Sequence, residues 1–490
     1  MDKFIIEGGA RLSGSLKISG AKNGSLALMP ATLLAPGNYN LYNTPNLSDV
    51  RTMSRLLGSM GVNCELTGSE LTIDSTQVTS YEAPYEHVKK MRASFYVLGP
   101  LVARYGTAKV SLPGGCAWGP RPVDLHLKGI EKLGAKITLE SGYVLAECER
   151  LHGAKFHFDI SSVGATGNVL MAATLAKGAS LLTNAAIEPE ITALAVMLQK
   201  MGAKISGIGT SVLEIEGVDE LHPADETTIP DRIEAATFLI AAAITKGEIE
   251  LTGVIPEHLA AVITKLEDSG CIIESGVGGQ GSGDWGLGSG VWGLGSWDRS
   301  LESGENDVIP VPRPPFPDLR PPFPDPRSPT PDPRSPTPDP RPPSSNENRI
   351  KLRMDSEPKP IDITTGIYPG FPTDVQAQWS AYMLAANGST RITDTIYHDR
   401  FKHVPELARL GAEIEVIDNS SIVHGGKQIS GAIVMSSDLR ASAGLIIAAL
   451  IAKGETEVLR VYHIDRGYEE VEVKLQSLGA NIKRVKTELI

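Results

Sequence analysis

One short pattern, repeated at an even spacing, constrains this chain more than any other feature. A helix-like stretch ends, a Gly beside a small or apolar residue follows, and a strand-like stretch begins. It occurs as M-G-V-N-C-E-L at Gly61, L-G-A-K-I-T-L at Gly134, M-G-A-K-I-S-G at Gly202, S-G-C-I-I-E-S at Gly270, L-G-A-E-I-E-V at Gly411 and L-G-A-N-I-K-R at Gly479. The steps are 73, 68, 68, 141 and 68 residues. A second landmark, the Gly that closes an apolar helix, lies at Gly37, Gly106, Gly178, Gly247, Gly388 and Gly454, with steps of 69, 72, 69, 141 and 66. Two independent markers share one period and one doubled step. Such a period raises the question of solenoids or propellers. Here, however, each copy mixes helical and strand periodicity and is nearly a small fold in itself.

Each unit reads as β-α-β-α-β-β. A strand such as F-H-F-D-I at 156–160 leads through a polar turn into a helix such as A-T-F-L-I-A-A-A-I at 236–244. That helix is apolar all round, so it belongs inside. The closing Gly is a C′ stop. A strand such as E-I-E-L-T at 248–252 follows, then an amphipathic helix such as 191–201, then a hairpin. The sixth unit ends at Ile490 one strand short, and the N-terminal K-F-I-I-E-G resembles the missing partner. R-L-S-G-S-L-K-I-S-G at 11–20 then resembles the start of a new unit. A chain of 490 residues exceeds one ordinary core. Three units per domain predict an N-terminal domain of residues 21–230 and a C-terminal domain of 1–20 with 231–490.

The doubled step places an insertion at 277–348, between two strands of a hairpin. It opens Gly/Ser-rich, with W-G-L-G-S at 285 and 292, and continues with P-D-P-R at 324, 331 and 338. This composition cannot build a core, and a disordered, partly polyproline II segment is expected. Hairpin tips accept such insertions because closure entropy rises slowly with loop length. A ligand for a PxxP-reading domain is the alternative to an inert expansion.

Residues 113–127, P-G-G-C-A-W-G-P-R-P-V-D-L-H-L, form a loop by their Gly and Pro content. Cys116 sits in it, with Arg121, His126 and Lys128 following, and cationic neighbours favour a thiolate. The bland reading is a structural cysteine in a tight turn; the sharper one is a mobile, reactive thiol. The four cysteines show neither metal-ligand nor disulfide-framework spacing, so a reducing, cytoplasmic setting and no metal site are expected. The N-terminus has no signal-peptide pattern, and the longest apolar run, 443–452, is too short to span a bilayer. The net charge of −12 argues against nucleic acid as a partner, while leaving room for a local basic pocket for a small anion.

In every unit the turn before the first helix is polar: Lys22-Asn23, Lys90 with Arg92, Ser162-Val163-Gly164, Asp231-Arg232, Thr373-Asp374, and Asp438 with Arg440. Buried helices present unpaired N–H groups and partial positive charge there. Convergence of these ends would make an anion-binding cleft, with Lys22, Arg92, Arg121, Arg440 and Arg466 as its cations. Read singly, each is a helix cap or a surface ion pair.

Eight motifs carry a family likeness: S-G-A-K-N at 19–23, M-R-A-S at 91–94, G-G-C-A-x-G-x-R-P-V-D-L-H-L at 114–127, S-V-G-A-T at 162–166, I-P-D-R-I-E-A-A-T at 229–237, G-F-P-T-D at 370–374, D-L-R-A at 438–441 and H-I-D-R-G-Y at 463–468. On these the chain closely resembles the UDP-N-acetylglucosamine 1-carboxyvinyltransferases, outside 277–348. The resemblance implies a two-domain inside-out α/β barrel, each domain built of three β-α-β-α-β-β units. It implies transfer of enolpyruvate from phosphoenolpyruvate to the 3′-hydroxyl of UDP-N-acetylglucosamine, with release of phosphate, as the first committed step of peptidoglycan synthesis. It implies no cofactor, since phosphoenolpyruvate is a co-substrate. The expected partners are the two small substrates, with no membrane, and the chain is expected to be a monomer.

Carried over, Cys116 protonates the phosphoenolpyruvate methylene, can form an adduct with it, and is the position fosfomycin alkylates. Lys22, Arg121 and Arg466 resemble the phosphoenolpyruvate contacts. Asp374 resembles the acceptor of the sugar hydroxyl proton, though it also reads as a helix N-cap. Asn23, Arg92, Arg121, Pro122, Val123, Asp124, Leu125, Ser162, Val163, Gly164 and Ile396 resemble nucleotide-sugar contacts, and Arg440 joins the site. Two departures stand out: Trp118 is bulky in a loop expected to close, and Gly24-Ser25 replace the more usual small apolar residues. The alternatives are a non-catalytic nucleotide-sugar-binding paralogue and a 3-phosphoshikimate 1-carboxyvinyltransferase, whose Cys loop and S-G-A-K-N are not similar.

Overall fold

A computed structural model of the chain describes residues 2–89, 91–112, 123–277, 348–397 and 399–486. The expectations for Lys90, for Cys116, Arg121, Pro122 and Trp118, and for the composition-biased segment 278–347 lie outside the described residues.

Six four-stranded sheets are present among the described residues, all with one strand order. In each, the first strand pairs parallel with the second, and the fourth lies antiparallel between the second and the third. Lys155–His157, Ala179–Thr183, Val212–Glu216 and Lys204–Ser206 illustrate that sequence of neighbours. The parallel pair needs a crossover, and in the second, third, fifth and sixth sheets the inner helix supplies it.

The six inner helices are Lys22–Ala31, Leu98–Tyr105 after a 3₁₀ turn at Arg92–Val97, Val163–Ala173, Arg232–Ile244, Gln376–Met383 after Thr373–Val375, and Leu439–Ala449. In Arg232–Ile244 every residue from Ile233 to Ile244 is buried, as a stretch apolar all round requires, with Glu234 and Thr237 paired inside by Lys474 and Tyr468. The outer helices bury one stripe only: Ser48–Ser59 buries Asp49, Val50, Met53, Leu56 and Leu57. Gly61, Gly134, Gly202, Gly270, Gly411 and Gly479 all take positive φ, between 93° and 109°. At the fourth inner helix, Lys246 (φ 53°) takes the left-handed conformation in place of Gly247.

Two features place the chain ends. Asp2–Glu7 inserts between Glu455–Leu459 and Asn481–Lys486 and completes the sixth sheet. Ser13–Lys17 departs from the expected order. It pairs with Glu248–Thr252 in the fourth sheet, while Glu226–Thr227 supplies the corresponding strand of the first sheet, beside Asn38–Tyr42. The two leading strands are thus exchanged between units one and four. Ile272–Val277 pairs antiparallel with Asn348–Arg353, with Val277 opposite Asn348.

The buried apolar side chains form two clusters. One runs from Leu26 to Leu221. The other takes Phe4 to Ile18 and Ile233 to Ile482. Where the chain passes between them, the passages pair with each other. Gly20 bridges Pro230 antiparallel, Ala21 N donates to Ile229 O at 2.7 Å, and Asp231 N donates to Ser19 O at 2.9 Å. Lys22 and Arg232 each follow directly.

Candidate active site

An inner helix buried on every side meets water only at its ends, so its first turn is where charge can be held. Ser162, Asp231 and Asp438 cap their helices with their own side chains, accepting from Ala165 N, from Ile233 N and Glu234 N, and from Arg440 N and Ala441 N. Asp231 does more: its Oδ1 caps at 2.8 Å while Oδ2 accepts from Lys22 N at 3.1 Å. One carboxylate therefore ties the starts of two helices from different apolar clusters.

Two carboxylates organise the cations around them. Asp49, only 4% exposed, accepts from Arg466 in a bidentate pair, Nε at 2.9 Å and Nη2 at 3.2 Å, and its Oδ2 lies 3.8 Å from Lys22 Nζ. Asp374 accepts from Arg400 Nη2 at 2.8 Å on Oδ1 and from Arg440 Nη2 on Oδ2. Arg400 Nη1 also donates to Thr373 Oγ1, which donates in turn to Asp394. The two groups are electrostatically continuous. Burial lowers the Lys22 ammonium below its usual pKa; Asp49 opposes this, Arg440 adds to it, Asp374 opposes it and Arg466 adds to it. For Asp374, burial favours the neutral acid, but Arg440, Arg400 and Lys22 outweigh it and hold the carboxyl well below the carboxylate range. Lys22, Asp374, Arg440 and Arg466, read from four separate motifs, thus share one cluster.

A second group gathers beside the third inner helix. Tyr96 Oη donates to Val163 O at 3.2 Å, and Arg92 is close enough to shift both Tyr96 and His126. Ser162, Val163 and Gly164 are half-buried at the helix start, with the His126 ring against Gly164. Val123 is buried, and Asp124 and Leu125 open the helix Asp124–Lys132. His126 corrects an expectation. Burial, then the Arg92 charge, push it down to about 3, so it is a neutral buried ring and not a cation of the Cys loop. Lys128 is spent on Asp124 and Asp159, each 3.7 Å away. Ile396 N donates to Asp394 Oδ1 at 2.9 Å, one residue-pair away from the Thr373–Asp374 turn. Asn23 is half-buried in the first turn of Lys22–Ala31.

Three of the four cysteines are described, and burial raises each thiol: Cys64 is pushed up to about 12, and Cys148 and Cys271 rise as well. None is an activated nucleophile. Among the described residues no group of His, Cys, Asp and Glu could hold a metal ion. What the site can do is bind a small polyanion. Lys22, Arg400, Arg440 and Arg466 are held by carboxylates that an incoming phosphate or carboxylate can replace.

The reading from sequence missed Asp49, Arg400 and Glu190. Glu190 is 4% exposed, with its Oε1 3.5 Å from Arg232 Nε, and Arg232 lies over the Tyr368 ring at 5.4 Å. Asp49 and Glu190 had a visible signal, each being an acid in the first turn of a helix, and that signal is common; Arg400 had none.

Six β-α-β-α-β-β sheets around buried helices whose starts carry a cation cluster define an α/β protein built to handle small anionic substrates. Comparison makes the class specific. The profile of the EPSP synthase (3-phosphoshikimate 1-carboxyvinyltransferase) family matches residues 6–284 and 344–475. An enolpyruvyl transferase from Streptomyces tendae superposes with a TM-score of 0.78 at 22% identity, covering 99% of both chains, and an EPSP synthase from Acinetobacter baumannii with 0.66 at 17%, covering 99% of this chain and 100% of that one. These likenesses establish the fold. UDP-N-acetylglucosamine 1-carboxyvinyltransferases from Chloroherpeton thalassium and Prosthecochloris aestuarii are 50% and 47% identical, over 99% of this chain and 97% and 98% of theirs. The chain belongs to the UDP-N-acetylglucosamine 1-carboxyvinyltransferase family.

Proposed function

We propose that this protein transfers the enolpyruvyl group of phosphoenolpyruvate to the 3′-hydroxyl of UDP-N-acetylglucosamine and releases phosphate, as the first committed step of peptidoglycan synthesis. The observation that carries the reading is the joint cluster of Lys22, Asp374 and Arg440, at helix starts drawn from both apolar cores, with Arg466 at the end of the 3₁₀ turn Val461–Arg466. Lys22, Arg121 and Arg466 take the phosphate and carboxylate of phosphoenolpyruvate, where fixed positive charge favours a developing oxocarbenium–phosphate state. Cys116 protonates the methylene carbon, and a proton is lost again from the resulting methyl group as the C–O bond to phosphate breaks, so that the transferred group is once more an enol ether. Asp374 takes the proton of the attacking hydroxyl. A carboxylate held this far down is a weak base, so it accepts that proton only as Arg400 and Arg440 turn part of their charge to bound substrate. Asn23, Arg92, Arg121, Pro122, Val123, Asp124, Leu125, Ser162, Val163, Gly164 and Ile396 hold the nucleotide sugar.

The two apolar clusters support a division at 21–230 against 1–20 with 231–490, with the substrates between the halves. The chain works as a cytoplasmic monomer without cofactor. Among the described residues no helix is long and apolar enough to cross a membrane. The rival acceptor, shikimate 3-phosphate, is disfavoured by full-length relatives at 46–50% identity that carry the UDP-N-acetylglucosamine name.

The test is phosphate release from phosphoenolpyruvate. It should require UDP-N-acetylglucosamine and be lost in Cys116→Ser. Release with shikimate 3-phosphate instead would establish the sister activity. Binding of UDP-N-acetylglucosamine with no turnover on either acceptor would establish the non-catalytic paralogue.

A further inference from the structure

The inner helix of the second unit is broken, and the break has a visible cause. Residues 92–97 wind as a 3₁₀ turn and 98–105 as an α-helix. In an uninterrupted α-helix Gly99 N–H would donate to Phe95 O. Here Gly99 N donates to Asn168 Oδ1 at 2.6 Å, and Asn168 Nδ2 donates to Phe95 O at 2.9 Å. The side-chain amide of Asn168 stands between the two groups that should have met, a known cause of a helix break. It is fully buried, and the fit leaves no slack on the other side: a Cβ at Gly99 would lie 2.3 Å from Asn168 O and 2.4 Å from its Oδ1.

The same amide fixes a second residue. Because a backbone N–H donates to Oδ1, the amide orientation is settled, and Nδ2 can only donate. Its other hydrogen points at His126 Nδ1, 3.0 Å away. His126 Nδ1 must therefore accept, and the ring proton sits on Nε2. That edge of the ring faces Gly164, where an added Cβ would lie 3.1 Å from both Cε1 and Nε2. The Phe95 ring meets His126 edge-on at 5.2 Å and 88°, so the ring cannot easily turn.

We propose that Asn168 is a positioning residue for the nucleotide-sugar half of the site: its amide breaks the helix so that the Arg92 turn is set, and it holds His126 as the Nε2–H tautomer beside Ser162-Val163-Gly164. This rests on the function proposed above. The benefit is a hydrogen-bond donor next to an anion-binding helix start that adds no titrating charge of its own. Burial and the Arg92 charge, which keep His126 neutral down to about 3, agree with that role.

Asn168→Asp separates positioning from mere packing, being equal in shape. The aspartate can still accept from Gly99 N–H but cannot donate to Phe95 O or to His126 Nδ1. In the wild-type protein, long-range ¹H–¹⁵N spectra should show His126 protonated on Nε2 alone from pH 6 to 8. In Asn168→Asp the Nδ1 should become protonated, and UDP-N-acetylglucosamine should bind at least about tenfold more weakly. The KM for phosphoenolpyruvate, measured at saturating acceptor, should stay within about twofold. A wild-type Nδ1–H tautomer would overturn the proposal whether or not the variant folds. So would a folded variant with unchanged acceptor affinity, or one that loses both substrates equally. Failure of the wild-type protein to bind UDP-N-acetylglucosamine would sink the proposed function instead, and the tautomer would still decide the role of Asn168.

Discussion

Asp49 is the residue on which the state of Lys22 depends. Burial pulls the Lys22 ammonium towards neutrality, and Asp49 is the strongest force against it. Lys22 must be charged to hold a phosphate, so its deprotonation sets an alkaline limb on activity. Asp49→Asn removes the opposing charge while keeping the shape. The alkaline limb of kcat/KM should then move to lower pH, measured between pH 6 and 10; a limb that stays put would mean that Asp49 does not govern Lys22. The substitution also leaves Arg466 without its bidentate partner, and stability should fall by about 1–3 kcal/mol, as for other charged hydrogen bonds removed from partly buried sites. Lys22, Asp374 and Arg440 were legible because each stands in a motif at a helix start, and Arg466 because it stands in the motif H-I-D-R-G-Y. Asp49 and Arg400 were not. Arg466 is 417 residues from Asp49, and no local pattern encodes a pairing over that distance. His126 was misread for the related reason that sequence closeness to Cys116 suggested a cation, whereas burial decides its charge.

Among the elements, the hairpin of Ile272–Val277 and Asn348–Arg353 makes the sharpest prediction. All six residue pairs of the ladder are in register, up to Val277 opposite Asn348. Replacing 278–347 with Asn-Gly should therefore close the hairpin with a two-residue turn. Closure cost falls by about 0.6 kcal/mol for each halving of loop length, so about five halvings give a gain of up to about 3 kcal/mol. The shortened protein should melt higher and keep its kcat. A lower melting temperature, or lost activity, would show that the segment contributes to the fold or to catalysis. The repeat itself was readable because its landmark glycines are physically required: all six Gly of the helix-to-strand turn adopt positive φ, which disfavours any side chain. The exchange of leading strands between units one and four was not readable. Ser13–Lys17 precedes the first inner helix just as Lys155–His157 precedes the third, and only the pairing with Glu248–Thr252 distinguishes them.

For the whole molecule, the exchanged strands mean that the chain passes twice between the apolar cores, and both passages meet at Gly20 and Pro230. This junction is packed to contact. A Cβ on Gly20 would lie 1.7 Å from Asn43 O, a backbone atom that cannot rotate away, and Asn43 is itself anchored by its Nδ2 donating to Thr228 O at 2.9 Å. Gly20→Ala must therefore push the first passage away from the second. The hydrogen bonds from Ala21 N and Asp231 N would be strained, and Lys22, whose backbone N–H is held by Asp231, would move with them. Gly24→Ala is the control four residues on, inside the helix that follows, where an added Cβ meets Ala21, Ile229 and Thr228 at an ordinary 3.4 Å. There the alanine should be neutral or stabilise by about 0.5–1 kcal/mol, the usual gain over a helical glycine. Gly20→Ala should lower the melting temperature clearly, and kcat/KM should fall at least about tenfold even where the variant remains folded, because the displaced group is the lysine at the centre of the cation cluster. If Gly20→Ala matched Gly24→Ala in both measurements, the paired passages would not be what holds Lys22 between Asp49 and Asp374, and the two halves would have to be registered by the ion pairs alone.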